Sequence, residues 1–163
     1  MAVRDTSGTH RQSCKSSGIE EGFHCCKMSQ KFSVIIRKLV AHRANYRCEY
    51  CRKPDIAANF RFHIEHIIGR QHGRSDNAEN LAYARSYCNR KKGPNISTVL
   101  SKSGPIVPLF NPRSDTWVDH FIVEHGMIYS QTDVGEGTLR LLDFNSFERI
   151  LERKELMDAG VYP

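Results

Sequence analysis

The residues best suited to chemistry lie in one stretch of the chain, FHIEHIIGRQHGRSDNAENLAYARSYCNRKKG, residues 62–93. It places His63, Glu65 and His66 inside an otherwise apolar run. Because strand packing requires neither imidazoles nor a carboxylate, these side chains indicate a functional site. An imidazole is the side chain best suited to take up a proton near neutral pH. A carboxylate oxygen is a good ligand for a hard divalent cation.

The spacing of these residues determines how they can meet. In a strand, residues two apart share a face, so His63 and Glu65 point one way and His66 the other unless the strand ends or bends. A bend would bring Glu65 and His66 towards a short following helix that carries Asn89. The carboxylate and the amide could then hold a hard cation beside the imidazole. Metal, base and a basic surface together fit hydrolysis of a phosphodiester bond.

Basic residues are concentrated around this stretch. Residues 31–92 contain 14 Lys and Arg against 5 Asp and Glu, whereas residues 93–163 contain 6 against 10. Such a local excess of positive charge indicates an acidic polymer as the partner. The alternative is an ordinary solvated basic surface, which is common for any single run of charge.

The chain contains six cysteines, which bear on its compartment. Cys48 and Cys51 form a C-x-x-C pair, and Cys88 follows much later. This pattern favours metal ligation in a reducing compartment over disulfides. The N-terminus lacks the apolar core of a secretion signal, and no apolar run reaches the length of a membrane span. We therefore expect a cytoplasmic protein.

The sequence divides into three parts. Residues 1–27 are rich in Ser, Gly and charge and lack periodicity, which predicts a disordered leader. Residues 28–96 form the expected core. Residues 97–163 are expected to be an extension of strands and a helix packed on that core, and not a second domain. The predicted fold class is α+β.

The pattern within the core predicts its elements. Apolar residues at helical spacing predict an amphipathic helix ending near Asn45. Residues 60–68 are rich in aromatic and β-branched residues, which predicts a strand, and NLAYA predicts a short second strand. A helix is expected to begin with Ser86 as its N-cap and to end at Gly93.

The pattern in the extension is weaker. Residues 106–110 and 117–123 are expected to be strands. The segment HGMIYSQTDVGEGTLRLL predicts one more strand, then a Gly-rich turn into a final helix that starts near Thr138 and runs through FERILERKEL.

The ordered set of motifs resembles the HNH endonuclease family, which has a ββα-metal (His-Me finger) site. The matching segments are Cys48-Glu-Tyr-Cys51, Phe62-His-Ile-Glu-His-Ile-Ile68, Asn80-Leu81 and Cys88-Asn89-Arg-Lys-Lys-Gly93. Downstream, GPNIS, PLFNPRSDTWVDHF and TLRLLDFN resemble the tail of small stand-alone bacterial HNH proteins. The resemblance implies a ββα-metal core and a metal-dependent endonuclease that acts on DNA.

The resemblance also implies a role for each matching residue. His66 is expected to be the general base that activates water, and Asn80 to fix the loop and orient that histidine. Glu65 and Asn89 are expected to bind Mg²⁺ or a similar divalent cation. His63 is expected either to contact phosphate or to face solvent. The basic residues expected to hold the nucleic-acid backbone are Arg70, Arg74, Arg90, Lys91 and Lys92.

A second, structural metal site of the family is incomplete here. Related proteins often bind Zn²⁺ through two C-x-x-C pairs. Three of the matching positions are Cys48, Cys51 and Cys88, but the fourth is Arg85, which has no lone pair to donate. The site could be metal-free, or completed by water or by one of His42, Cys25 and Cys26. We expect zinc binding through three thiolates with reduced affinity.

Two other functions stay open at this stage. A zinc-knuckle module or degenerate nuclease would grip nucleic acid without cutting it, using the cysteines and the basic charge. A structural or toxin-associated fragment would use the acidic tail to bind a partner. His66, Asn80 or Asn89 on its own would more often be structural than catalytic. The endonuclease hypothesis therefore depends on their joint spacing.

Overall fold

Helices alternate with three two-stranded antiparallel sheets in the computed structural model, which describes residues 32–57, 61–73 and 75–163. This mixture of elements confirms the α+β class. The leader predicted over residues 1–27 lies outside the described residues. None of the helices in the described part is both long and apolar enough to cross a bilayer.

The first helix, α1, spans Val34–Arg43. The Ser33 hydroxyl caps it by accepting a hydrogen bond from the Ile36 N–H at 3.2 Å, which satisfies a donor that has no partner within the helix. The chain leaves the helix at Ala44, and Asn45 adopts a positive φ of 50°. The predicted end near Asn45 is therefore confirmed.

The next two strands form a short hairpin. Strand β1, His63–His66, pairs antiparallel with β2, Leu81–Ala84, so that His66 lies opposite Leu81. The strand predicted at NLAYA is confirmed, but the one predicted over 60–68 is shorter. Strand β1 ends at His66 because the Ile68 N–H donates to the side-chain oxygen of Asn80 at 3.0 Å and not to a backbone carbonyl of β2.

Helix α2, Ser86–Lys92, follows β2 directly. It ends at Gly93, which has a φ of 49°, as predicted. The prediction of Ser86 as N-cap is wrong, because Arg85 occupies the cap position without a side-chain hydrogen bond. The Ser86 hydroxyl instead donates to the Arg61 carbonyl at 3.2 Å and lies 3.1 Å from His63 Nε2.

The extension contains two further hairpins, β3 with β4 and β5 with β6, and three helices. Its elements in chain order are β3 (Ser97–Val99), β4 (Ile106–Pro108), α3 (Trp117–His120), β5 (Phe121–Glu124), β6 (Met127–Ser130), α4 (Asp133–Leu141) and α5 (Phe147–Asp158).

The strand predicted over residues 117–123 is wrong in its first half, where the chain makes the helical turn α3. The Trp117 indole N–H donates to the Tyr50 carbonyl at 2.8 Å, and the Asp119 N–H donates to the Thr116 carbonyl at 3.1 Å. The long-range indole contact and the local turn together hold this segment in a helical form. The strand begins only at Phe121.

The Gly-rich turn predicted before Thr138 is also wrong, because these residues form α4. The single final helix predicted from Thr138 through FERILERKEL is wrong as well, because the chain leaves α4 at Leu142, Asp143 adopts a positive φ of 51°, and α5 begins only at Phe147. Thr132 caps this helix by accepting from the Gly135 N–H at 3.0 Å. The glycines allow close packing of its backbone. A Cβ at Gly137 would lie 2.7 Å from Thr98 Cγ2, and one at Gly135 would overlap the His120 carbonyl oxygen. Tertiary packing therefore explains the glycines better than a turn does.

One cluster of buried apolar residues joins the core to the extension. Val40 of α1, Leu81 of β2 and Cys88 of α2 are fully buried in it, together with Ile128 and Leu142 of the extension. Burial of this kind is the main favourable term in folding. The hairpin β1–β2 and helix α2 are thus held between α1 and the extension.

We expect Gly135→Ala to lower the free energy of unfolding by about 1–3 kcal/mol, because the new methyl group overlaps the backbone of His120. This loss should exceed the gain in helix propensity that alanine brings. The control is Gly69→Ala, where a Cβ would meet no atom closer than 3.9 Å. Chemical denaturation measures both variants, and equal stabilities would contradict the prediction.

Candidate functional site

The last residue of β1, His66, is held by an aspartate that the sequence analysis did not single out. Its Nε2 lies 2.7 Å from Asp76 Oδ1. The imidazole is 18% exposed, and its ring centroid lies 5.4 Å from that of Phe32. Its Nδ1 has no hydrogen-bond partner in the described part of the chain. A histidine held in this way has one nitrogen fixed by a carboxylate and the other open to a ligand.

Asp76 is itself fixed by Arg70. The Arg70 Nε donates to Asp76 Oδ1 at 3.0 Å, and its Nη2 donates to the other carboxylate oxygen. Hydrogen bonds from Arg70 and His66 lower the pKa of Asp76 to about 2. The carboxylate is therefore ionised near neutral pH. Nothing in the sequence distinguishes this aspartate, because Asp is an ordinary residue of polar loops.

The carboxamide of Asn80 holds both ends of the loop that carries Asp76. Its nitrogen donates to the Ile68 carbonyl at 2.8 Å and to the Ser75 carbonyl at 3.0 Å, while its oxygen accepts from the Ile68 N–H. Asn80 is 8% exposed. It therefore acts on His66 indirectly, by fixing the loop whose aspartate contacts the imidazole.

The carboxylate of Glu65 faces α2. Its Oε1 lies 3.3 Å from the Lys92 ammonium, and its side chain is 14% exposed. Burial raises the pKa of Glu65 to about 7, although Lys92 acts in the opposite direction. The second oxygen, Oε2, has no partner among residues 32–57, 61–73 and 75–163. A half-buried carboxylate with a free oxygen is suited to bind a cation.

Lys92 was predicted to contact the nucleic-acid backbone, but the structure buries it. Its side chain is 2% exposed, and its ammonium donates to the His66 and Gly93 carbonyls at 2.9 and 3.2 Å as well as to Glu65. An ammonium with three protein acceptors does not belong to an exposed basic surface. It instead ties the end of α2 to the end of β1.

Asn89 lies one turn before Lys92 in α2. Residues three apart share a helix face, so Asn89 lies on the side of α2 that faces β1. Its side chain is half-buried and makes no hydrogen bond to the described residues. A carboxylate oxygen and an amide oxygen are both ligands that a hard divalent cation takes, so these two residues are candidate ligands by their chemistry.

The remaining polar residues of the predicted site differ in exposure. His63 is exposed, with Nε2 3.1 Å from Ser86 Oγ, and partial burial together with Arg37 lowers its pKa. A neutral His63 is a weak ligand for phosphate. Arg90 and Lys91 are exposed at the end of α2, and Lys91 pairs with Asp143 at 3.2 Å. Arg74 lies outside the described residues.

The three cysteines meet in one buried cluster. The Sγ atoms of Cys48, Cys51 and Cys88 all lie within 4.8 Å of one another. Arg149 of α5 donates to Cys88 Sγ at 3.2 Å and is 3% exposed. Burial raises the pKa of Cys88 to about 12. Burial acts the same way on Cys51, but hydrogen bonds from the other two cysteines and the charge of Arg149 lower its pKa well below the usual value.

This cluster fits a thiophilic cation through three ligands. Zn²⁺ prefers four tetrahedral ligands, and no fourth Cys, His or carboxylate joins the cluster within the described ranges. His42 is exposed on α1, Arg85 pairs with Glu152 at 2.7 Å, and Cys25 and Cys26 lie outside those ranges. Three thiolates and Zn²⁺ carry a net charge of −1, which the guanidinium of Arg149 balances.

Residues 48–95 match the family model described as HNH endonuclease. The match runs from the first cysteine of the cluster through β1, β2 and α2, and it includes His66 and Asp76. Comparison with curated proteins and with solved structures gave no match.

The cysteine cluster is expected to bind Zn²⁺, and an excess of EDTA is expected to remove it. Titration against a chromophoric chelator measures the affinity. Arg149→Met should weaken binding because it removes the guanidinium that contacts Cys88, and Arg140→Met, at an exposed arginine of α4, is the control. Stoichiometric zinc that resists the chelator would contradict the expected three-ligand site.

Proposed function

We propose that the protein is a metal-dependent endonuclease that hydrolyses phosphodiester bonds in DNA, because residues 48–95 match the HNH endonuclease family model. The hydrogen bond of 2.7 Å between His66 and Asp76 is the observation that supports it most. An oriented base and a candidate cation ligand are adjacent residues of β1. The basic charge of residues 31–92 fits an anionic polymer as substrate.

In this proposal β1, β2 and α2 form the ββα-metal core. The two strands are antiparallel neighbours, and α2 follows after a single residue. The contacts of Lys92 with Glu65 and the His66 carbonyl support the docking of α2 on β1. Asn89 then faces the strand that carries both the acid and the base.

His66 is the proposed general base. If Nε2–H donates to Asp76, the Nδ1 atom carries the lone pair that accepts a proton from the attacking water. The ionised Asp76 holds the ring in that tautomer and stabilises the imidazolium that forms. Asn80 keeps the aspartate in place by closing its loop.

Glu65 and Asn89 are the proposed ligands of Mg²⁺ or a similar divalent cation. When bound, that ion supplies positive charge that neutralises the developing charge on the phosphate and the leaving oxygen. Lys92 holds the Glu65 carboxylate through Oε1 and leaves Oε2 for the ion. Arg90 and Lys91, exposed at the end of α2, are proposed to contact the phosphate backbone.

A second candidate is a nucleic-acid-binding protein that does not cut. The contact of 3.3 Å between Lys92 and Glu65 favours it, because the ammonium already gives this carboxylate a counter-ion. A degenerate nuclease of this kind would keep the fold and the basic surface. It would bind DNA equally well with or without divalent ions.

We expect the protein to nick supercoiled plasmid in Mg²⁺ and not in EDTA. His66→Ala should lower the rate by about 10²–10⁴-fold, because no other group takes the proton. His72→Ala, at an exposed histidine, is the control and should cut normally. Cutting by His66→Ala at the wild-type rate would refute the assignment. Binding of DNA by the wild type without cutting would favour the second candidate.

Asp76→Asn should lower kcat by roughly 10- to 1,000-fold with little change in KM, because an amide can hold the ring in the wrong tautomer. Asp119→Asn, at an exposed aspartate of α3, is the matched control. Steady-state nicking kinetics measure both variants. If kcat were unchanged in Asp76→Asn, the aspartate would not orient the base.

A further inference from the structure

The segment PLFNPRSDTWVDHF, residues 108–121, has no role in the proposed chemistry. Two of its residues anchor it to the turn of the cysteine cluster. Arg113 forms an ion pair with Glu49, and Trp117 donates to the Tyr50 carbonyl. Other residues of the segment line a cavity of about 440 Å³.

This cavity borders the proposed catalytic strand. Its other wall includes Ile67 and Ile68, which directly follow His66 in the chain, and Lys92, whose ammonium contacts the His66 carbonyl. Asn111 also lines a second cavity of about 150 Å³ together with Ser75 and Asn80. The segment therefore reaches the loop that holds Asp76.

The lining combines apolar walls with a few polar groups. Leu109 and Val134 are apolar, and the ring of His120 stands edge-on to Phe110 with centroids 5.7 Å apart. A site of this composition is typical of a small planar ligand that is fixed by a few hydrogen bonds.

Three of the polar groups have atoms that the protein leaves free. Asn111 uses its side-chain oxygen to accept from the Arg113 N–H, Asn95 uses its nitrogen to donate to the Lys92 carbonyl, and His120 uses Nδ1 towards Thr132. Asn111 Nδ2, Asn95 Oδ1 and His120 Nε2 make no hydrogen bond to any residue that the structure describes. A donor, an acceptor and an imidazole nitrogen are therefore available at the lining.

We propose that this cavity binds one unpaired nucleobase of the substrate next to the phosphate that is cut. The inference rests on the proposed function, since it takes the strand beside the cavity as catalytic. A base has apolar faces that stack on rings such as that of His120 and an edge with donors and acceptors. In a duplex those edges are paired, so the base must be unpaired or extruded to enter. The preferred substrate is then single-stranded or distorted DNA.

The test measures binding in buffer without Mg²⁺ and without a chelator, so that it depends neither on cleavage nor on loss of metal from the cysteine cluster. The probes are a fluorescent single-stranded oligonucleotide and the same strand in a perfect duplex, at low salt. Ile96 lies at the cavity and is 40% exposed, so Ile96→Trp should fill the cavity from its rim. The matched control is Ile106→Trp, at a 74% exposed position outside the lining.

We expect the wild type and Ile106→Trp to bind the single strand about tenfold more tightly than the duplex. Ile96→Trp should lose this preference while keeping its affinity for the duplex. Asn111→Asp, which keeps the oxygen that accepts from Arg113 and removes the free donor, should weaken the preference. Circular dichroism confirms that each variant is folded.

Equal binding of the two probes by the wild type, no binding of the single strand, or an equal loss in both tryptophan variants would overturn the inference. The proposed function fails separately. If plasmid nicking requires His66 but binding shows no preference, the nuclease proposal holds and the base pocket is wrong. If the preference is present but no nicking occurs, the pocket is supported and the catalytic proposal is wrong.

Discussion

The buried ammonium of Lys92 connects the end of α2 to the end of β1. Taking a charge out of water costs several kcal/mol unless it is paired and hydrogen-bonded. Lys92 meets that condition with the carboxylate of Glu65 and the carbonyls of His66 and Gly93. Because His66 ends β1 and Lys92 ends α2, these contacts set the position of the helix relative to the strand. The placement of Asn89 and of the imidazole depends on that relation.

A second set of buried charges holds the extension to the cysteine cluster. Arg149, Glu152 and Arg153 lie on one face of α5, as their spacing of three and four residues requires. Arg149 contacts Cys88, Glu152 accepts from Lys53 and Arg85, and Arg153 donates to the Phe144 carbonyl at 2.8 Å. Arg85 thus serves as an ion-pair partner of the extension.

The extension also forms one wall of the cavity beside the candidate site. Its segment 108–121 is anchored on Glu49 and Tyr50, and it lines a cavity together with Ile67 and Ile68, which follow the proposed base. A ββα-type core alone would leave that side open to solvent. With the extension in place, the same side becomes a cavity with apolar walls. The extension therefore shapes the surface that a nucleic acid would meet beside the proposed catalytic residues.

Local pattern was enough to predict α1, β2, the end of α2 and the order of the HNH motifs, because periodicity and turn residues act over a few positions. The sequence also predicted Glu65, His66 and Asn89 as site residues from their types and spacing, and their roles stay a prediction. The local pattern predicted α3 and α4 wrongly. The hydrogen bond from the Trp117 indole to the Tyr50 carbonyl holds α3, and the close packing of the α4 glycines against neighbouring atoms outweighs their low helix propensity. Only the tertiary structure brought Asp76 to His66, buried Lys92 and placed Arg149 on the cysteines. These contacts join residues far apart in the chain, and the energy of a buried ion pair or hydrogen bond depends on surroundings that no local pattern encodes.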